Sequence, residues 1–172
     1  GCEVIAKGAN GTIYRYDEET IVKIYHNGAP LEEVRLEKEL CRKVFIKGIN
    51  TAIPYDVVKV GDCYGSVAEM LSAKSIAKLL RANPESLEEN VAVYTELLKK
   101  IHATPVKPSE MPAIKETGVD WAQFLQPYLP TEQWEKLVSM MKAIPEPEFM
   151  IHGDYHANNV MIQNGEPLLI DM

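Results

Sequence analysis

His152-Gly153-Asp154-Tyr155-His156-Ala157-Asn158-Asn159, followed after a short apolar stretch by Leu169-Ile170-Asp171, is the segment whose reading decides the fold. Asp154 leads Asn159 by five residues, and Asp171 closes a second β-prone run. Two acids and an amide on loops at strand ends offer oxygen donors, the set that a hard cation such as Mg²⁺ prefers. Phe149-Met150-Ile151 reads as a strand that feeds the loop.

Outward from that segment, the 172 residues have an ordinary globular composition, 46% hydrophobic and 25% charged. That is enough apolar material for one compact unit or two small lobes. A net charge of −7 argues against a nucleic-acid binder or a polybasic membrane-surface protein and is permissive for a cationic substrate. Cys2, Cys41 and Cys63 are an odd, scattered set without a Cys-x-x-Cys pair, which fits a reducing, cytoplasmic setting. The start Gly1-Cys2-Glu3-Val4 lacks the features of a signal peptide, and no run reaches the ~18 apolar residues of a membrane span. The expectation is a protein without nucleic-acid or membrane partners; its oligomeric state is not encoded in any pattern.

The first part of the chain alternates β-prone runs with turns. Glu3–Ala6, Thr12–Tyr16 and Thr20–Tyr25 predict antiparallel strands, with Asn10-Gly11 able to supply a tight turn. Pro30 opens a helix over Leu31–Ile46, in which Leu36, Leu40, Cys41, Val44 and Phe45 recur at helical spacing and which Gly48 stops. Tyr55–Val60 and Tyr64–Met70 predict two further strands joined by Gly61-Asp62. Beyond Leu71 the character turns helical. Ser75–Arg81 and Ser86–His102 predict helices, the second with Leu87, Val91, Tyr94, Leu98 and Ile101 on one face. Proline-rich Val106–Thr117 predicts a connecting loop, Trp121–Gln126 and Glu132–Ala143 predict helices, and Pro145-Glu146-Pro147 ends them.

The spacing of Asp154, Asn159 and Asp171 resembles that of the catalytic aspartate, the metal-binding asparagine and the metal aspartate of protein kinases. With His-Gly-Asp in place of His-Arg-Asp, the segment resembles the aminoglycoside phosphotransferase and choline kinase-like family of the protein-kinase-like superfamily. Leu98-Lys99-Lys100-Ile101-His102-Ala103-Thr104-Pro105 resembles a helix end common in that family. The resemblance implies an α+β, protein-kinase-like two-lobed fold. Residues 1–71 would form a nucleotide-binding lobe, a five-stranded antiparallel sheet with one helix, and residues 72–172 a mainly helical, incomplete lobe.

It also implies roles. Asp154 would orient the hydroxyl of a small-molecule acceptor, while Asn159 and Asp171 would hold Mg²⁺ on the phosphates of ATP or GTP. His152 braces the loop, and His156 stands where protein kinases carry a phosphate-contacting lysine. Ala6–Ile13 resembles a glycine-rich loop with its first glycine replaced by alanine, leaving Gly8 and Gly11 to admit phosphate and Ile13 to cap the base. Val22-Lys23-Ile24 resembles the strand whose lysine pairs with nucleotide phosphates. Glu37 is the chosen anchor for Lys23, with Glu33 and Glu39 as alternatives. Glu69-Met70-Leu71 would offer backbone groups to the adenine edge.

Simpler readings stand beside these. Gly8–Gly11 alone is as good a hairpin turn as a phosphate cradle, and an isolated strand lysine is most often solvated. Gly153-Asp154-Tyr155-His156 also resembles an element of metallophosphatases, but the further Asp-x-His and Gly-Asn-His elements such enzymes need are missing from the sequence. A nucleotide-binding module without catalysis is the other alternative. Family members continue past the metal aspartate with further helices, whereas Met172 follows Asp171 directly. A C-terminally truncated chain is therefore expected, with most acceptor-selecting residues outside it.

Overall fold

The structure, a computed structural model, describes residues 2–8, 10–145 and 148–171. The chain divides into two compact units, one formed by Gly1–Lys100 with Asp154–Met172 and the other by Ile101–Gly153.

In the first unit an antiparallel sheet is built from β1 (Val4–Lys7), β2 (Gly11–Arg15), β3 (Thr20–Tyr25), β4 (Asp56–Val60) and β5 (Cys63–Glu69), in the order β1-β2-β3-β5-β4. This is the expected five-stranded sheet, with strand ends shifted by about one residue. Its single helix, α1 (Leu31–Ile46), lies between β3 and β4 in the chain and has the expected bounds. The packed stripe differs from the expected one. Val34, Cys41 and Val44 are buried, while Leu36 and Phe45 are about half exposed. Glu37, three residues after Val34 and four before Cys41, shares the buried face.

The end of α1 is a Schellman motif. Gly48, at φ 83°, donates its N–H to the Phe45 carbonyl, and Ile49 donates to the Val44 carbonyl. Ile49 is fully buried, which fixes the direction in which the chain leaves the helix. The exit runs parallel to the last strand of the unit. Leu169 donates to the Asn50 carbonyl at 2.9 Å, and Ala52 donates back to the Leu169 carbonyl at 3.2 Å.

That last strand belongs to a second sheet, β6 (Lys74–Ser75), β7 (Val160–Gln163) and β8 (Glu166–Leu169), in the order β6-β7-β8. β7 and β8 form a hairpin closed by Asn164-Gly165, both at positive φ (53° and 83°). This is the backbone shape that a two-residue hairpin turn with right-handed twist requires. β8 stops at Leu169, so Asp171 lies two residues past the strand rather than closing it. Pro167 is tolerated because β8 is at the sheet edge. Ser75, expected as the first helical residue, is instead the N-cap of α2 (Ile76–Ala82), its Oγ accepting from the Lys78 N–H at 3.3 Å.

α3 (Leu87–His102) packs through Asn90, Tyr94, Leu97 and Ile101. Leu87 and Val91, expected on the packed face, are about half exposed. The stripe is rotated because Asn90 faces inward, its amide donating to the Ser86 carbonyl and hydroxyl at 2.8 and 2.9 Å. A polar side chain satisfied locally is buried at little cost, and apolar periodicity alone does not reveal it.

The second unit holds α4 (Ile114–Gln123) and α5 (Thr131–Ala143). The loop expected over Val106–Thr117 thus ends at Ala113, and α4 also stops before the expected Gln126. Pro105, Pro108 and Pro112 keep the earlier stretch irregular, and Gly118 conceals the helix because glycine weakens helix propensity. It faces α5, where an added Cβ would lie 2.8 Å from Met141 Cε, the mobile end of a flexible side chain. Phe149–Ile151 is not a strand. It makes one antiparallel bridge, Pro105 to Phe149, flanked by Val106 N–H to Glu148 O and Met150 N–H to Thr104 O. Glu146 and Pro147 of the expected helix stop lie outside the described residues. Among the described residues no helix is long and apolar enough to cross a membrane.

Candidate active site

The site is assembled in the first unit from three segments far apart in sequence. β3 presents Lys23, α1 presents Glu37, and the residues after β8 present Asp171. Lys23 Nζ donates to Glu37 Oε1 at 3.1 Å and to Asp171 Oδ1 at 2.7 Å. The lysine and glutamate side chains are about one-fifth exposed, and the aspartate is half exposed. Of the three helix glutamates considered, the structure brings Glu37 to Lys23.

Burial works against the Lys23 ammonium, but the carboxylates of Glu37 and Asp171 outweigh it and raise its pKa above the ordinary lysine range. Lys23 is therefore cationic at neutral pH. Tyr25, two residues along the same face of β3, donates its hydroxyl to Glu37 Oε2 and lies 3.3 Å from Ser66 Oγ. Burial first, and Glu37 second, push the Tyr25 phenol up, so it stays a neutral donor. Glu37 is held from two sides. Neither Tyr25 nor Ser66 stands out in the sequence, although the period of two around Lys23 already places Tyr25 on its face.

The register carries the wall further. Ile13 pairs with Lys23, Lys23 with Ser66, and Ile21 with Ala68. Directly paired residues point to one face, so Ile13, Ile21 and Ala68 flank Lys23 with apolar surface. Ile21 is the residue that the search for motifs overlooks, and its position two before Lys23 is the signal that marks it.

The two glycines of the β1–β2 connection differ. At Gly11 an added Cβ would approach the Ile24 carbonyl to 2.8 Å, so this glycine is needed for the close fit of β2 on β3. At Gly8 the nearest atom would be Gly11 O at 3.8 Å, an ordinary contact, and no steric demand of the protein explains the glycine. Gly8 donates to Gly11 O at 2.9 Å, while Thr12 Oγ1 lies 2.8 Å from His26 Nε2, which pins the far side of the loop. Ala9 lies outside the described residues. At the end of β5, the Met70 N–H is committed to the Glu19 carbonyl at 2.7 Å. Glu69 pairs with Thr20 one step earlier, so strand alternation turns the backbone groups of Glu69 away from β3.

The β7–β8 hairpin explains how Asn159 and Asp171 become neighbours. Val160 pairs with Leu169, and one step beyond, Ile170 donates to the Asn159 carbonyl at 3.1 Å. Asn159 is buried and donates its amide to the Asp154 carbonyl at 3.2 Å, with Asp154 Oδ2 at 3.4 Å. The amide nitrogen faces Asp154. Asp171 adopts φ 57°, a left-handed conformation uncommon for a residue with a side chain. Such strain is concentrated at functional positions. His156 Nδ1 accepts from the Asn158 N–H at 3.2 Å, and its Nε2 lies 3.5 Å from Asp154 Oδ2.

The donor set fits Mg²⁺. Asn159 and Asp171 supply oxygens, and among the described residues no group of three His, Cys, Asp or Glu forms a dedicated metal cage. An ion that keeps several waters and takes one or two protein ligands plus phosphate needs no more.

Cys41 lies on the same face of α1 as Glu37 and is 3% exposed. Burial first, and then the charge of Glu37, push its thiol up to about 11 from 9.0. A folded-state value above the unfolded one means that the native state binds the proton more tightly. The stability this lends is complete below pH 9 and is lost as pH rises towards about 11. Denaturation of the protein against Cys41→Ala at pH 8 and pH 11 is expected to show an alkaline loss of about 2 kcal/mol that the variant lacks. Equal pH dependence of the two proteins would contradict it.

With this geometry in place, comparison with known proteins is decisive. The model of the Phosphotransferase enzyme family matches residues 1–172. The chain belongs to that family. No curated protein matches it. Among solved structures, the family member is similar to a thermostable mutant of aminoglycoside phosphotransferase APH(4)-Ia in its apo form, with TM-score 0.66 and 11% identity, over 99% of this chain and 66% of that one. It is similar to the streptomycin-ATP-APH(2")-IIa ternary complex with TM-score 0.58 and 18% identity, over 99% of this chain and 64% of that one. The GDP and kanamycin complex of APH(2")-IIia gives TM-score 0.58 and 14% identity, over 99% and 66%. At these identities the likeness is one of fold: the chain shares the mixed α+β architecture of these structures. The chain spans 64–66% of the length of these three structures.

Proposed function

We propose that this phosphotransferase chain carries the nucleotide-binding and catalytic-loop portion of a kinase that moves the γ-phosphate of ATP or GTP, with Mg²⁺, to a hydroxyl of a small molecule. The observation that supports it most is the Lys23 ammonium bonded to both Glu37 and Asp171, at 3.1 and 2.7 Å. A lysine so placed is preorganised to meet phosphate oxygens beside the carboxylate that would hold the metal. In this reading residues 1–71 bind nucleotide, with Gly8 and Gly11 beneath the phosphates and Ile13 against the base. The amide at Leu71 and the carbonyl at Glu69 meet the adenine edge, the Met70 amide being engaged elsewhere. Residues 72–172 contribute Asp154, which accepts the hydrogen bond of the acceptor hydroxyl and orients it for in-line attack. Asn159 and Asp171 hold the ion, which when bound neutralises the charge of the transferring phosphoryl group.

The acceptor classes compatible with the fold are aminoglycosides, amino alcohols and sugars, and the acidic net charge of −7 favours a cationic member of these. Three free cysteines support a reducing, cytoplasmic setting. Mg·ATP at about 100 times its Kd is expected to stabilise the protein by about 2.7 kcal/mol. That corresponds to a rise in Tm of about 5–10 °C. Lys23→Met is expected to remove most of the rise, each protein being referred to its own ligand-free Tm. No shift with either Mg·ATP or Mg·GTP would reject the reading. A shift without phosphate transfer to any of the three acceptor classes would favour a nucleotide-binding module instead.

A further inference from the structure

Asp154 is followed in the chain by Tyr155, and Tyr155 is locked to α3 by a reciprocal pair of bonds. Its hydroxyl donates to the Tyr94 main-chain carbonyl at 2.6 Å, and the Tyr94 hydroxyl donates to the Tyr155 main-chain carbonyl at 3.0 Å. The two rings lie 4.5 Å apart at 42°, a tilted aromatic contact. Each phenol thus bonds the other residue's main-chain carbonyl, and the peptide that leaves Tyr155, one residue past Asp154, is tied to a helix. Burial pushes both phenols up, so both remain protonated donors at neutral pH. Two residues on, the Ala157 carbonyl accepts from the Ala77 N–H of α2 at 2.9 Å. The loop is pinned to two helices, and the pin beside Asp154 is the tyrosine pair.

The Asp154 side chain is three-quarters exposed and touched on Oδ2 by Asn159 Nδ2 at 3.4 Å and His156 Nε2 at 3.5 Å, so the main chain beneath it shares in setting its aim. A misplacement of about 1 Å in a group that orients a nucleophile costs about a hundredfold in rate. We propose that Tyr94 and Tyr155 are positioning residues that set the aim of Asp154 through this clasp. The proposal rests on the kinase reading above and goes beyond it, because that reading gives neither tyrosine a role: Tyr155 sits unassigned within the catalytic segment and Tyr94 lies outside it.

Tyr155→Phe and Tyr94→Phe each delete one bond and keep the ring contact, so both variants are expected to fold. Each is expected to lower kcat about tenfold or more while leaving the nucleotide KM within about twofold. In an Asp154→Ala background, Tyr155→Phe is expected to cause no further loss of the residual rate, since groups that act through one another are not additive. Amide hydrogen exchange at residues 155–157 is expected to speed up in both variants, with exchange in β3 and β5 unchanged. A lower Tm with kcat unchanged, or a loss of rate that persists in the Asp154→Ala background, would overturn the proposal. So would unchanged exchange at residues 155–157, a readout that stands even if no acceptor is turned over. Full turnover by Asp154→Ala alone would instead reject the kinase reading, leaving the exchange result to judge the clasp as a holder of the loop.

Discussion

Asp154→Ala is expected to lower phosphate transfer by about 10²–10⁴-fold, the range contributed by a positioned acid or base. Nucleotide binding should survive. Asn159 donates to the main-chain carbonyl of Asp154 at 3.2 Å, a bond that alanine retains, and only the longer contact to Oδ2 at 3.4 Å disappears. The amide that would hold the ion therefore keeps its orientation, and the Lys23–Glu37–Asp171 set is untouched. The check is the initial rate with a turned-over acceptor beside the Mg·ATP shift in Tm. Unchanged turnover would refute the role given to Asp154. Loss of both rate and thermal shift would mean that the carboxylate organises the nucleotide site rather than the acceptor.

The second large effect is structural and lies at the seam that carries Lys23. Gly65 sits in the middle of β5, paired with Ile24 on one side and Val58 on the other. An added Cβ would lie 2.5 Å from the Lys23 carbonyl oxygen and 2.7 Å from Ile24 Cδ1. The first contact is with backbone between two central strands, so relief requires the strands to part. Gly65→Ala is expected to destabilise the protein by about 3 kcal/mol, the upper part of the range for overpacking. In Tm this is a loss of about 6–12 °C. Gly8→Ala, whose new methyl would meet only an ordinary contact at 3.8 Å, serves as the control and should change stability by less than about 0.5 kcal/mol. Thermal denaturation of the two variants side by side decides the matter. Equal stabilities would mean that the β3–β5 approach is looser than the structure gives it.

The five strands of the first sheet were legible because short β-branched or aromatic runs lie between turn residues there, and α1 because Pro30 and Gly48 bracket it. What failed to show was which face of a helix packs. In α1 the expected Cys41 and Val44 are inside, but the smaller Val34 takes the place that the sequence offers to Leu36 and Phe45, because a helix seated closely against a sheet selects side chains that fit. In α3 a buried asparagine rotated the stripe. In α4 the prolines that precede Ile114 hid the first turns of the helix. The Asn164-Gly165 turn was present in the sequence as a strong hairpin signal, and reading it would have put Asn159 beside Ile170 without coordinates.

The order of chemical groups along the chain, a lysine in an early strand, glutamates in the following helix, and an aspartate, an asparagine and an aspartate near the end, is a property of the sequence alone, because covalent order and short-range periodicity need no partner. The choice of Glu37 over Glu33 and Glu39, the hold of Tyr25 on that glutamate, the engagement of the Met70 amide and the crossed tyrosines beside Asp154 belong to the tertiary structure. Each depends on a contact between elements separated in the chain, and the energy of such a contact exists only once the elements have packed.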